Sequence, residues 1–284
     1  MSKVISFINL KGGVGKTTLL VATAEILAKE HNKKVLVIDL DPQTNATVML
    51  VTQESWNDAN ENNRTLHQLF LDEVEGTEAF KIEKSIMKNV SNIKNGIENL
   101  DLLPSSIDLI DIYDEVSGLN VKNRVVKILK KQIEALENIY DYILVDCPPN
   151  LGAITMSGIY LSNYYIVPVI PDTLSTYGLW QVIKKIDMKA REIKRFDENY
   201  DIKPLGIIVN RYRDNKPYNT ITSSLEVKSS KGEIPKLFKT RIGVKSQFSK
   251  ISNVEEDKST IRKKYEGEFN VLNDLVNEII ERCK

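Results

Sequence analysis

Residues Leu10, Lys11, Gly12, Gly13, Val14, Gly15, Lys16, Thr17 and Thr18 form a glycine-rich run ending in lysine and two threonines. Glycines let backbone approach a ligand closely, so successive N–H groups can point at phosphate oxygens. A helix opening near Gly15 adds the positive end of its dipole. Lys16 is then placed to reach β- and γ-phosphates, the Thr17 hydroxyl to bind Mg²⁺, and Thr18 to contact the α-phosphate. Two acidic positions follow apolar runs. Val35-Leu36-Val37-Ile38 leads into Asp39-Leu40-Asp41-Pro42-Gln43, and strand alternation puts Asp39 and Asp41 on one side. Tyr142-Ile143-Leu144-Val145 ends at Asp146. A carboxylate there can hold Mg²⁺ through water, because that ion keeps much of its hydration shell. His31 and His67 are the two histidines, and neither lies near Cys147 in sequence. Cys147 therefore reads as a small strand-end residue, not a nucleophile.

These residues need a frame to bring them together. Strand-like runs at Val4–Asn9, Lys34–Asp39, Leu100–Leu103, Tyr142–Asp146, Tyr164–Val169 and Leu205–Asn210 alternate with helix-length segments. The interior runs are continuously apolar, which predicts strands buried on both faces of a parallel sheet. Helices are expected over Thr17–Lys29 and roughly over 107–116, 122–138, 175–195 and 269–282. The alternation predicts an α/β fold with a doubly wound, mainly parallel β-sheet flanked by helices. In such sheets ligands bind beyond the carboxyl ends of the strands, where the glycine run and the aspartates fall. Residues 53–63 read as the most loop-like stretch, and 213–234 as a second, weaker loop zone.

Composition excludes several alternatives. The chain has 284 residues, 42% hydrophobic and 27% charged, which excludes disordered and collagen-like chains. No run approaches the length of a membrane-spanning helix. Two cysteines, Cys147 and Cys283, exclude a disulfide framework and fit a reducing cytoplasm. Net charge is zero, yet residues 1–183 hold 16 basic against 23 acidic residues, and residues 184–284 hold 23 against 16. Within 203–250 the count is 11 basic to 3 acidic. That stretch is either a lysine-rich solvated face or a surface for polyanions.

The Lys-Gly-Gly-Val-Gly-Lys-Thr-Thr pattern resembles the deviant Walker A loop of the ParA/MinD superfamily of P-loop ATPases. Asp39 to Thr47 looks like that family's second motif, and Asp146-Cys147-Pro148-Pro149-Asn150-Leu151-Gly152 resembles its Walker B and switch II segments. The resemblance covers nearly the whole chain and is nearest to short, Soj-like ParA proteins of plasmid and chromosome partition. It implies ATP and Mg²⁺ as cofactors and slow hydrolysis of ATP to ADP and phosphate. It implies that Lys11 touches the ATP of a partner copy, that Asp41 orients the attacking water, and that Asp39 lies near the metal held by Thr17 and Asp146. Asn210 matches the place where relatives contact adenine.

The same resemblance implies a single domain over 1–284 without an N-terminal helix-turn-helix extension. It implies an ATP-dependent homodimer, non-specific binding of double-stranded DNA, stimulation by a ParB-type centromere-binding protein, no membrane association, and a cytoplasmic, nucleoid-associated location. Arg211, Arg213, Lys216, Arg241 and Lys245 are the DNA-binding candidates, and such contacts position a protein without reading sequence. Two other readings stand beside it: a MinD-like membrane-cycling ATPase, and a non-catalytic nucleotide-binding adaptor. The former needs an amphipathic C-terminal helix on lipid. The polar face of 269–282 is mainly Asn, Asp and Glu, which suits packing better than anionic lipid.

Overall fold

Three strands are buried along their whole length, β2 (Val35–Asp39), β3 (Leu100–Leu103) and β4 (Tyr142–Asp146). A computed structural model, which describes residues 2–118, 122–136, 138–244 and 260–284, shows why. With β1 (Lys3–Phe7), β5 (Tyr164–Val169) and β6 (Lys203–Val209) they form one six-stranded sheet in the order β3-β2-β4-β1-β5-β6. Every pairing is parallel. Parallel strands need crossovers, and the crossovers cover both faces with helices.

One face carries α1 (Lys16–Lys29) and α2 (Asn45–Leu50). The opposite face carries α4 (Leu66–Glu75), reached through α3 (Gln53–Glu61), and later α7 (Lys122–Glu134), α8 (Ala153–Leu161) and α9 (Thr173–Lys194). The short helices α5 (Ile82–Ser85) and α6 (Tyr113–Val116) lie in connections. The chain continues through α10 (Lys216–Ser230), α11 (Ile261–Tyr265) and α12 (Phe269–Arg282). The apolar side of α12, with Phe269, Leu272, Leu275, Val276 and Ile279 buried, packs on the α1 face. None of the described helices is long and apolar enough to cross a membrane.

Register aligns the chemistry. β2 and β4 pair so that Asp39 stands opposite Asp146, and β1 pairs Phe7 with Asp146. All three strands therefore end at one level, beneath the loop that opens α1.

Three stretches differ from the sequence expectation. Residues 53–63 are mostly helical, over Gln53–Glu61. Thr52 caps this helix by accepting from the Ser55 N–H at 3.3 Å, and Trp56 reaches across to donate to the Ser105 carbonyl at 3.0 Å. Local Asn and Asp content disguises a segment held by a tertiary anchor. Residues 216–230 within the second zone form α10, where Asn215 accepts from the Tyr218 N–H at 3.1 Å and Pro217 sits in the first turn. Proline there starts a helix, because the missing N–H has no intrahelical partner anyway. The expected helix over 107–116 is a 3₁₀ turn (Ile107–Ile110) followed by α6.

Candidate functional site

The glycine run is pinned before it turns. Asn9, buried just past β1, donates through its side-chain amide to the Pro168 carbonyl at 2.7 Å and accepts from the Lys11 N–H at 2.9 Å. Gly13 and Gly15 take left-handed conformations, φ 73° and 87°. At Gly15 a Cβ would stand 2.2 Å from the Asn210 amide nitrogen, so glycine is required for space as well as conformation. The Asn210 amide donates to the Val14 carbonyl at 2.7 Å, while the Val14 side chain is fully buried.

Lys16 opens α1 and is 8% exposed. Beside it the Thr17 hydroxyl donates to Asp146 Oδ2 at 2.6 Å. Asp146 Oδ1 is buried and has no hydrogen-bond partner. On the neighbouring strand Asp39 is equally inaccessible. Its Oδ2 accepts from the Thr47 N–H at 2.9 Å and the Thr47 hydroxyl at 2.8 Å, and its Oδ1 from the Asp41 N–H at 3.1 Å. Burial raises the Asp39 carboxyl to about 7 despite those three donors. Burial first, then the Asp39 charge, raises Asp146 well above the usual carboxylate range. Two side-by-side buried carboxylates with one orphaned oxygen form a site that a cation would relieve. Asp41 faces the cavity, its Oδ1 accepting from the Gln43 N–H at 3.0 Å.

Of these groups Lys16, Thr17 and Asp41 line a cavity of about 720 Å³, and Asp39 and Asp146 are fully buried beside them. Gly12, Gly13, Gly15, Lys16, Thr17 and Thr18 form its phosphate-loop wall, with Asp41 close by and Asn210 and Arg211 at another side. Pro149, from the segment after β4, also lines it. That segment is tethered through Asn150, which donates to the Tyr113 hydroxyl at 3.2 Å and accepts from the Gly152 N–H at 2.9 Å. Cys147 is fully buried, and burial pushes its thiol up to about 12.

The other expected residues are more dispersed. Lys11 is not among the residues lining the cavity, and its ammonium pairs at the surface with Asp172 at 3.2 Å. Arg211 is turned onto the glycine loop and donates to the Gly13 carbonyl at 3.1 Å. Arg213, ahead of α10, and Lys216, its first residue, are exposed. Arg241 pairs with Glu226 and stacks on the Tyr212 ring, 5.4 Å from its centroid. Lys245 lies outside the described residues. Sequence reasoning missed Asn9 and Thr47. Asn9 follows a strand directly and Thr47 lies in the second motif, but the partners that give them purpose become visible only in the fold.

Comparisons with known proteins agree with this geometry. The family described as AAA domain matches residues 2–201. The sporulation initiation inhibitor protein Soj of Bacillus subtilis is 30% identical over 209 residues, spanning 74% of this chain and 72% of Soj. The virulence plasmid ParA family protein of Chlamydia psittaci is 30% identical over 220 residues, spanning 77% of this chain and 73% of that protein. Among solved structures, McdA of Cyanothece in complex with ATP superposes with a TM-score of 0.71 at 18% identity, covering 99% of this chain and 96% of that one.

Proposed function

The chain belongs to the ParA/Soj partition group of the ParA/MinD P-loop ATPases, and on that premise we propose that it is a Mg²⁺-dependent ATPase that positions DNA. The observation that carries the reading is that Lys16, Thr17 and Asp41 line the cavity at the glycine loop while Asp146, bonded to Thr17 and paired in register with Asp39, keeps a buried carboxylate oxygen without a partner. Loop N–H groups and Lys16 hold the β- and γ-phosphates. Thr17 and Asp146, already 2.6 Å apart, would hold Mg²⁺, with Asp39 on the neighbouring strand beside them. Bound there, the metal supplies neutralising charge for the phosphates. Asp41 stands free of the strand ladder at the cavity wall, placed to orient a water.

Lys11 acts on a second copy of the chain. Its ammonium sits at the surface on Asp172, not in its own cavity, which supports a role in trans. A cation supplied by a partner couples phosphoryl chemistry to dimerisation. The ATP-bound dimer binds double-stranded DNA without sequence preference, through Arg213, Lys216 and neighbouring basic residues. A ParB-type protein stimulates hydrolysis and releases it. The apolar side of α12 is occupied by the protein's own core, which supports this reading over membrane cycling.

The test is binding to random-sequence duplex DNA with ATP, ADP or no nucleotide, across a salt series, alongside phosphate release. Binding that requires ATP and weakens steeply with salt is the expected result. ATP-driven dimers that ignore DNA in every state would remove the partition reading.

A further inference from the structure

Arg211 falls in the basic stretch, and its type and place suggest a DNA contact. We propose instead that Arg211 is a positioning residue of the nucleotide site, which holds the glycine loop in its phosphate-binding form; the proposal rests on the nucleotide reading above. A loop turns its N–H groups inward only if its carbonyls turn outward, and outward carbonyls need donors. Two successive carbonyls are served by two successive residues at the end of β6. The Asn210 amide takes the Val14 oxygen at 2.7 Å, and the Arg211 guanidinium takes the Gly13 oxygen at 3.1 Å.

The backbone is bent to make this reach. Arg211 lies in the left-handed region, φ 52°, which an L residue occupies only when its surroundings enforce it. The enforcement is explicit. Asn210 N–H donates to the Val169 carbonyl at 2.8 Å, and Arg211 N–H to Asn210 Oδ1 at 2.9 Å. Tyr212 N–H then donates to the Ile242 carbonyl at 2.8 Å, and Val244 N–H to the Tyr212 carbonyl at 3.0 Å. The kink is anchored on both sides, and Arg211 lines the cavity together with Gly243 and Val244. Arg213, two residues on, is exposed, outside the cavity lining. The guanidinium therefore orders the loop before ligand arrives and adds positive potential at the phosphate end.

The experiment uses the full chain and its Arg211→Ala, Arg211→Gly and Arg211→Lys variants. Glycine accepts the left-handed conformation, so Arg211→Gly separates loss of the guanidinium from backbone strain. Calorimetric titration with ATP, ADP and tripolyphosphate, and DNA anisotropy across salt at saturating nucleotide, are measured together. Arg211→Ala and Arg211→Gly are expected to weaken all three phosphate ligands alike by about tenfold, the scale of one charge-assisted hydrogen bond. Arg211→Lys recovers part of the loss, because an ammonium can still donate to Gly13. The DNA salt slope stays at its wild-type value. Unchanged phosphate affinity with a salt slope lower by about one would make Arg211 a DNA contact and overturn the proposal. Weakened nucleotides with unchanged tripolyphosphate would overturn it too, by placing the effect on the base. A wild-type chain that binds none of the three ligands would instead remove the nucleotide reading itself.

Discussion

The charges at the glycine loop and those of the basic stretch 203–244 live under opposite conditions. Lys16, Asp39 and Asp146 are at most 8% exposed, and the two carboxylates face each other across paired strands. In the basic stretch, Arg241 leans on Glu226 and Lys203 on Asp201, all in solvent. Burying a charge costs several kcal/mol unless something compensates, whereas an exposed pair contributes about 0–1 kcal/mol. A fold that keeps two carboxylates buried side by side, one with an orphaned oxygen, carries a cost that a bound cation would relieve. Exposed pairs demand no such explanation, so their presence says little about function.

The largest expected effect breaks the buried side of this comparison. Lys16→Ala removes a cation beside Asp146 and the proposed contact to β- and γ-phosphates. Fluorescent-nucleotide titration is expected to show loss of ATP and ADP binding by at least about 100-fold, the scale of a buried charge-assisted contact. Asp41→Ala comes next. Binding should survive while phosphate release falls roughly 100-fold, as for a lost water-positioning group, and the ATP-bound dimer should accumulate in sedimentation. Normal hydrolysis by Asp41→Ala would reassign that residue.

A smaller effect sharpens the argument from burial. Asp39 is raised to about 7 in the folded state from 3.8. The native state thus keeps a proton that the unfolded chain releases, and stability falls as pH rises between those values. Thermal unfolding in EDTA should therefore show a lower midpoint at pH 8 than at pH 5.5. Asp39→Asn should flatten that dependence and raise the metal-free midpoint at pH 8, by about 2–4 °C per kcal/mol regained in a chain of this size. A midpoint that rises with pH would mean the carboxylate pair is compensated in a way the geometry does not show.

The buried half was also the legible half. The glycine run, the strand-end aspartates and the six apolar strands announce themselves because their partners are local or are fixed by the parallel sheet. Much of what supports them is not local. Asn9 meets Pro168 across 159 residues, and Arg211 meets Gly13 across 198. No local pattern encodes those pairs, so Arg211 reads in sequence as one more surface cation. Helix α3 was hidden for a related reason. Its Ser, Asn and Asp favour caps and turns, and what holds it is Trp56 reaching Ser105 forty-nine residues away.

The smallest expected effects test the exposed side. Glu226→Gln removes the partner of Arg241, whose side chains are 37% and 49% exposed for arginine and glutamate respectively. Solvent screens such a pair, so denaturant unfolding should change by less than about 0.5 kcal/mol. Freed of its carboxylate, Arg241 still has the Tyr212 ring beneath it, and DNA affinity in the ATP state should stay level or rise slightly. By contrast, Lys216→Gln removes an exposed cation at the start of α10, and should lower the DNA salt slope by about one while leaving stability within about 0.5 kcal/mol. If Glu226→Gln instead destabilised the chain by about 2 kcal/mol or more, a magnitude typical of buried pairs, the basic stretch would be a structural network. The distinction between its charges and those at the glycine loop would then fail.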